Sequence, residues 1–323
     1  MVAPGLLSSA SDNSAFQSWL SVRYRRVETI LREIFWPALR ELAYFAIFSV
    51  PTFGFTFFVI RQRKKYDEEA EDPFTDLLTR PAGETLRSQI EELREKQQEA
   101  LLARFIVAIV SALIASTVQP PLRLLVGIAL GVLVLVDLAI AGPKIYRLTT
   151  QLRDLGLGYT GERVVAEHLN SLLATGYLVF HDVPFENFNI DHVIVGPSGV
   201  FSVETKTRRK PKHQGKKSAW KIVFDGKEIH WPKFSESDSL NQAQAGARSV
   251  SKLLTGATGE RIYVQPILTT PGWWIDDNVE HAVWVLNPKR IKSFVEASRR
   301  SQLEPAQVQR IISQLTKSCR LAA

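Results

Sequence analysis

"IDHVIVGPSGVFSVETK", residues 190–206, joins two apolar runs through Gly-Pro-Ser-Gly, yet the runs contain Asp191, Glu204 and Lys206. Acids are depleted in strands, and a buried charge is costly unless it is paired or holds a metal. With Pro197 and Ser198 as the two loop residues, Gly196 faces Gly199 and Asp191 falls directly across from Glu204. Such partners share a face with Cβ atoms about 5 Å apart. Lys206, two residues past Glu204, returns to that face. The opposite face then carries Ile190, Ile194, Phe201 and Val203. A type I turn with a bulge at Gly199 is the competing register, and it sends Asp191 and Glu204 to opposite faces. The apolar pattern favours the first.

Two carboxylates this close repel by about a kcal/mol or more, and a divalent cation converts that repulsion into binding. Oxygen ligands with no cysteine or histidine cluster select Mg2+ (or Mn2+) over zinc, with Asp191 and Glu204 as the metal ligands. Lys206 would supply positive charge to a developing phosphorane or help to position an attacking water. The plainer reading is a solvent-facing hairpin edge with a Glu204–Lys206 surface pair. The Asp at the mirrored position and the apolar bracketing count against it.

Upstream, "GYTGERVVAEHLNSLL" (158–173) predicts a helix over 160–173 with Thr160 as N-cap. Glu162, Val165, Leu169, Leu172 and Leu173 form one stripe of it. An acid in a first turn also meets the helix dipole favourably, so Glu162 is either a third acid of the site or a helix-terminus residue. Downstream, eight Lys or Arg residues lie between 206 and 221. This loop offers Arg208, Arg209, Lys210, Lys212, Lys216 and Lys217 to a polyanion through counterion release, unless it is merely a solvated loop. Trp273 and Trp274 read as core or interface residues. No Walker-type phosphate loop and no histidine metal spacing occur.

Three segments, "GYTGERVVAEHL", "IDHVIVGPSGVFSVETK" and "DSLNQAQAGARSVSKLL", closely resemble the nuclease-related domain (NERD) family, itself similar to the PD-(D/E)XK nucleases. The resemblance covers roughly 156–275. It implies a restriction-endonuclease-like α/β (α+β) fold, a mixed central sheet flanked by helices. It also assigns Glu162 as the helix acid, Asp191 as the metal-binding Asp, Glu204 and Lys206 as the Glu-x-Lys pair, and Gln242 as the glutamine after the sheet. Ile190 stands where the superfamily name has proline, and "DSLNQ" replaces an Asn-Pro pair; neither change removes a metal ligand.

The remainder of the 323 residues is different in character. Net charge is +7, which favours nucleic acid or anionic lipid as a partner. The single cysteine, Cys319, excludes internal disulfides and a Cys-based zinc site. The first 40 residues have no signal-peptide layout. Residues 42–60 carry no charge and are followed by "RQRKK", as a membrane segment with a basic cytoplasmic flank would be. Pro51 and Gly54 allow a re-entrant hairpin instead. Residues 105–118 and 124–141 predict a transmembrane hairpin around "QPPLR", with Arg104 snorkelling to the interface and Asp137 interfacial. Leu86, Ile90, Leu93, Gln97 and Leu101 form a short heptad seam.

The expected organisation is therefore an N-terminal segment (1–41), a membrane segment (42–60), a charged helical linker (61–103) and a membrane hairpin (104–142). A nuclease-like domain (148–275) and a C-terminal extension (276–323) follow. The expected function is an integral-membrane, Mg2+-dependent nuclease whose domain faces the cytoplasm. Its partners would be nucleic acid (DNA ahead of RNA) and the lipid bilayer, with weak self-association through the 84–103 helix. Residues 148–323 are expected to carry the cleavage activity. A catalytically inactive, membrane-anchored nucleic-acid-binding module is the alternative, and a helical half acting as an assembly or sensing element is a third.

Overall fold

The computed structural model describes residues 9–36, 39–40, 79–120, 122–210, 220–275 and 281–320, with isolated positions between 55 and 65. The apolar stretch 42–60 lies almost wholly outside the described residues, as do Lys212, Lys216 and Lys217. The chain divides into one unit of residues 1–71 and 98–145 and a second of residues 72–97 and 146–323.

The first unit holds α1 (Ser9–Ile30), most of the apolar half of α2 (Glu84–Thr117) and the first part of α3 (Arg123–Leu169). Eighteen-residue windows of α2 and α3 reach mean hydropathies of 2.1 and 2.8 with 6% of each window buried, so both helices are long and apolar enough to cross a membrane. Phe105, Leu135 and Ile140 are among the exposed side chains; apolar surface on this scale is stable in lipid or against a partner. Arg104 is paired within the unit: its Nε lies 3.3 Å from Asp137 Oδ2. Each charge found in an apolar stretch is thus met by the other, which lowers the cost of both.

The helix expected to begin at Thr160 is the last part of α3, which runs unbroken from Arg123 to Leu169 and through Pro143. Thr160 is not an N-cap: its hydroxyl donates to the Gly156 carbonyl, 2.8 Å away, one turn back. Glu162 therefore sits inside a continuous helix, not in a first turn where the dipole would favour an acid. Interior glycines cost about 1 kcal/mol each, and here two of them permit close approach. A Cβ on Gly161 would lie 1.9 Å from Thr207 Cγ2, and one on Gly158 would lie 3.2 Å from Leu86. Leu86 thus packs on α3, Ile90 is buried, and Gln97 Nε2 donates to Thr149 Oγ1 at 2.7 Å. Part of the seam is thus engaged within the chain, whereas Leu101 at its end is 50% exposed.

The second unit is built on a five-stranded mixed sheet in the order β1 (Leu178–Pro184), β2 (Asn189–Gly196), β3 (Gly199–Thr205), β7 (Val264–Thr269), β9 (Trp284–Leu286). β1–β2–β3 are antiparallel, and β3–β7–β9 are parallel. A smaller sheet joins β4 (Lys221–Phe224), β5 (Ile229–Trp231), β6 (Phe234–Glu236) and β8 (Trp274–Ile275). Helices α4 (Asp238–Thr258), α5 (Ile291–Ala297) and α6 (Pro305–Ser318) complete the unit. Every residue of β3 and β7 is buried, as expected of strands covered on both faces.

One face packs Val193, Val195 and Val200 on Ala247, Val250 and Leu254 of α4 and on Ile311 and Leu315 of α6. The other packs Ile194, Phe201 and Val203 on Val165 and Leu169 of α3 and on Ile291 and Val295 of α5. Each fully buried aliphatic of this kind contributes about 1.5–3 kcal/mol. Two expectations fail locally. Ile190 joins the α4 cluster rather than the face of Ile194, because the β1–β2 ladder skips the pair between His181↔His192 and Val183↔Ile190, where Asp182 has φ +48°. Leu173 is 53% exposed, since α3 gives way to a 3-10 turn at Asn170 and the helical stripe ends there.

Candidate active site

The hairpin takes the direct register, Gly196↔Gly199 through His192↔Val203, without a bulge at the turn. Gly199 has φ +127° and its Cα faces the Ser301 carbonyl, so any side chain there would be strained and crowded. The pairing ends at His192↔Val203, and Asp191 and Glu204 are the next residues on the two strands. Asp191 Oδ2 accepts the Thr205 backbone N–H at 2.6 Å, which holds the carboxylate across the end of β3. Glu204 is buried on this central strand, and Lys206 Nζ lies 3.8 Å from its Oε1. The Lys206 backbone N–H donates to the Thr269 carbonyl, and its ammonium donates to Gln242 Oε1 on α4 at 2.9 Å. Gln242 thus aims the lysine at the site.

Glu162 enters from α3, 8% exposed. Burial, reinforced by Asp191, Asp182 and Glu204, pushes its carboxyl up to about 9. Burial raises Asp191 to about 7, against the Thr205 N–H and Lys206 that pull it down. Glu204 is raised well above the usual carboxylate range by burial and then by Asp191, with Lys206 opposing. Glu162, Asp191 and Glu204 thus share one buried electrostatic setting, Lys206 meets Asp191 and Glu204, and Gln242 bonds Lys206. Beside them His192, fully buried, is held neutral by burial and by His181, whose Nδ1 is 2.9 Å away.

Among the described residues, no three His, Cys, Asp or Glu side chains are placed to hold one metal ion. Mg2+ does not require three: it is commonly held by one or two carboxylates, with water and substrate phosphate completing six oxygens. A pair of acids kept from ionising chiefly by burial is a donor set that a divalent cation suits.

Sequence reasoning missed the fourth acid. Asp182 is 3% exposed and is held by Arg80 (Nε–Oδ2 2.9 Å), the Thr85 N–H (3.0 Å) and Asn189 Nδ2 (3.0 Å). Its signal was present: an acid in the apolar strand "YLVFHDV" is as anomalous as those of the hairpin. Its partner Arg80 carried none, being 102 residues away. The segment before α2 is bound further by the Arg80 N–H donating to the Cys319 carbonyl at 3.0 Å. A fragment starting at 148 lacks both Arg80 and Thr85, so it is not the complete unit. Arg80→Ala strands a buried carboxylate and is expected to destabilise the full chain by about 3 kcal/mol, read as a lower urea midpoint, with Arg80→Lys intermediate. A loss under ~1 kcal/mol would show that the pair is dispensable.

The described part of the basic loop is already engaged within the protein. Arg208 pairs with Glu236 (3.6 Å) and lies over Phe234 (5.7 Å), Arg209 bonds Asp154 (2.8 Å), and Lys210 lies over Trp220 (4.5 Å). Trp273 is buried, its indole N–H donating to the Arg208 carbonyl at 3.1 Å. Trp274 is not a core residue; it is 66% exposed.

The profile of the nuclease-related domain (NERD) family matches residues 157–271. No functionally curated protein and no solved structure matches the chain. Residues 157–271, which include Glu162, Asp191, Glu204, Lys206 and Gln242, are a nuclease-related domain.

Proposed function

We propose that the protein is a membrane-anchored, Mg2+-dependent nuclease of the PD-(D/E)XK type, hydrolysing nucleic-acid phosphodiester bonds. The observation that carries this reading is the convergence of Glu162, Asp191 and Glu204 in a buried setting that raises all three, beside Lys206. Asp191 and Glu204 would hold the Mg2+ (or Mn2+), which when bound lowers the pKa of water and neutralises phosphoryl charge. Lys206, oriented by Gln242, would supply an ammonium to a non-bridging phosphate oxygen as it gains charge in the transition state. Glu162 holds its proton at neutral pH while no cation is bound. The apolar halves of α2 and α3 support the bilayer as anchor, and Lys144 and Arg147, following the apolar run of α3, favour a cytoplasmic domain.

That no three-ligand cluster occurs among the described residues favours one other reading, an inactive nucleic-acid-binding module. The full-length chain in detergent is expected to cleave labelled DNA or RNA with Mg2+ and to stop with EDTA. Salt-sensitive binding with no turnover in Mg2+ or Mn2+ would select the module.

A further inference from the structure

Beside the site lies an open groove of about 790 Å3, lined in part by His168, Lys210, Trp220, Trp274, Lys289 and Arg290. Among the described residues its wall carries no carboxylate. Trp274 is the unusual member. Along β8 the alternation turns Ile275 into the core and Trp274 out to solvent, and β8 is anchored by pairing Lys221↔Trp274 and Ile222↔Ile275 with β4. A large indole is therefore held exposed on a fixed strand. Trp220 adds a second ring, covered by the Lys210 ammonium at 4.5 Å.

A smaller hollow of about 260 Å3 lies on the other side of Lys210 and shares Lys210 and Trp273 as walls. There Arg208 covers Trp231 and Phe234 at 6.0 and 5.7 Å, and Phe234 is 47% exposed. The two hollows form one strip of rings interleaved with cations. It starts close to the proposed chemistry: Lys210 is four residues past Lys206, at most about 14 Å of extended chain.

Cations alone would serve a duplex, whose exposed surface is phosphate. Exposed ring faces are of no use to a duplex, because its bases are stacked on each other. A single strand offers both phosphates and unstacked bases, and grooves that combine cations with aromatic platforms suit it. We propose that this strip is a subsite for single-stranded nucleic acid, with Trp274 as the base-stacking platform. The proposal rests on the nuclease reading for its substrate class and goes beyond it by specifying the strand state.

Binding separates the two. In EDTA, where no cleavage occurs, the full-length chain in detergent is titrated with a fluorescent oligothymidylate and, separately, with a blunt duplex. Trp274→Ala is expected to weaken single-strand binding about tenfold to a hundredfold, the range for losing one stacked base, and to leave duplex binding unchanged. Trp274→Phe should keep most of the affinity, and Lys289→Gln should reduce the salt slope. Unchanged single-strand affinity in Trp274→Ala, or equal loss for both ligands, would overturn the subsite, as would stronger binding of a proline-rich peptide than of either oligonucleotide. Trp274-dependent binding without cleavage in any metal would remove the nuclease reading and leave the subsite standing. Cleavage indifferent to Trp274 would do the reverse.

Discussion

Asp191→Asn in the full-length chain is expected to reduce Mg2+-dependent cleavage by about a thousandfold while leaving the fold intact. The amide oxygen can still accept the Thr205 N–H that Asp191 Oδ2 accepts at 2.6 Å, so the end of β3 keeps its hydrogen bond. The substitution removes only the negative charge shared with Glu204. Losing a bound catalytic cation removes several kcal/mol of transition-state stabilisation, and each 1.36 kcal/mol is tenfold in rate. Initial rates on an end-labelled oligonucleotide, with far-UV circular dichroism as the folding control, give the answer. A folded variant within tenfold of wild type would remove Asp191 from the mechanism. Glu204→Gln should match it, whereas Lys206→Ala, which removes one charge contact, should cost about a hundredfold.

Stability without metal is expected to fall as pH rises, the reverse of the usual carboxylate behaviour. Glu162 is raised to about 9 and Asp191 to about 7 in the folded chain. Unfolded, both ionise near 4. Between those values the folded state binds more protons than the unfolded one, so the slope of unfolding free energy with pH is negative. The penalty is absent below about pH 4 and complete above the folded values. Between pH 5 and 8 in EDTA, Tm followed by tryptophan fluorescence should drop by roughly 5–10 °C. Glu162→Gln should flatten this slope. Mg2+ should raise Tm at pH 8 and have little effect at pH 5, because binding must displace protons. A Tm that rises with pH in EDTA, or one unaffected by Glu162→Gln, would show that these acids do not share a buried site.

The features readable from residues alone share a physical basis: they depend on partners near in sequence or on composition. The hairpin register follows from a two-residue loop and the alternation beside it, so the pairing from Gly196↔Gly199 to His192↔Val203 could be read before any fold was known. The apolar runs of α2 and α3 are compositional, and no tertiary contact is needed to see them. The acids were visible as charges in strands that should not hold them.

What the residues could not show depends on distant contacts. Thr160 has every local mark of an N-cap, yet α3 continues through it, because Gly158 and Gly161 admit Leu86 and Thr207 to the helix surface. Asp182 was missed as a member of the site, and only folding brings Arg80 to it across 102 residues and makes the segment before α2 part of the nuclease-like unit. Trp273 and Trp274 are the same residue type side by side; the first is buried in the turn before β8, and the pairing of β8 with β4 holds the second out to solvent. Local pattern carries periodicity and charge. Which surface ends up against which is set by long-range packing, and that is where the clamp on Asp182 and the aromatic strip arise.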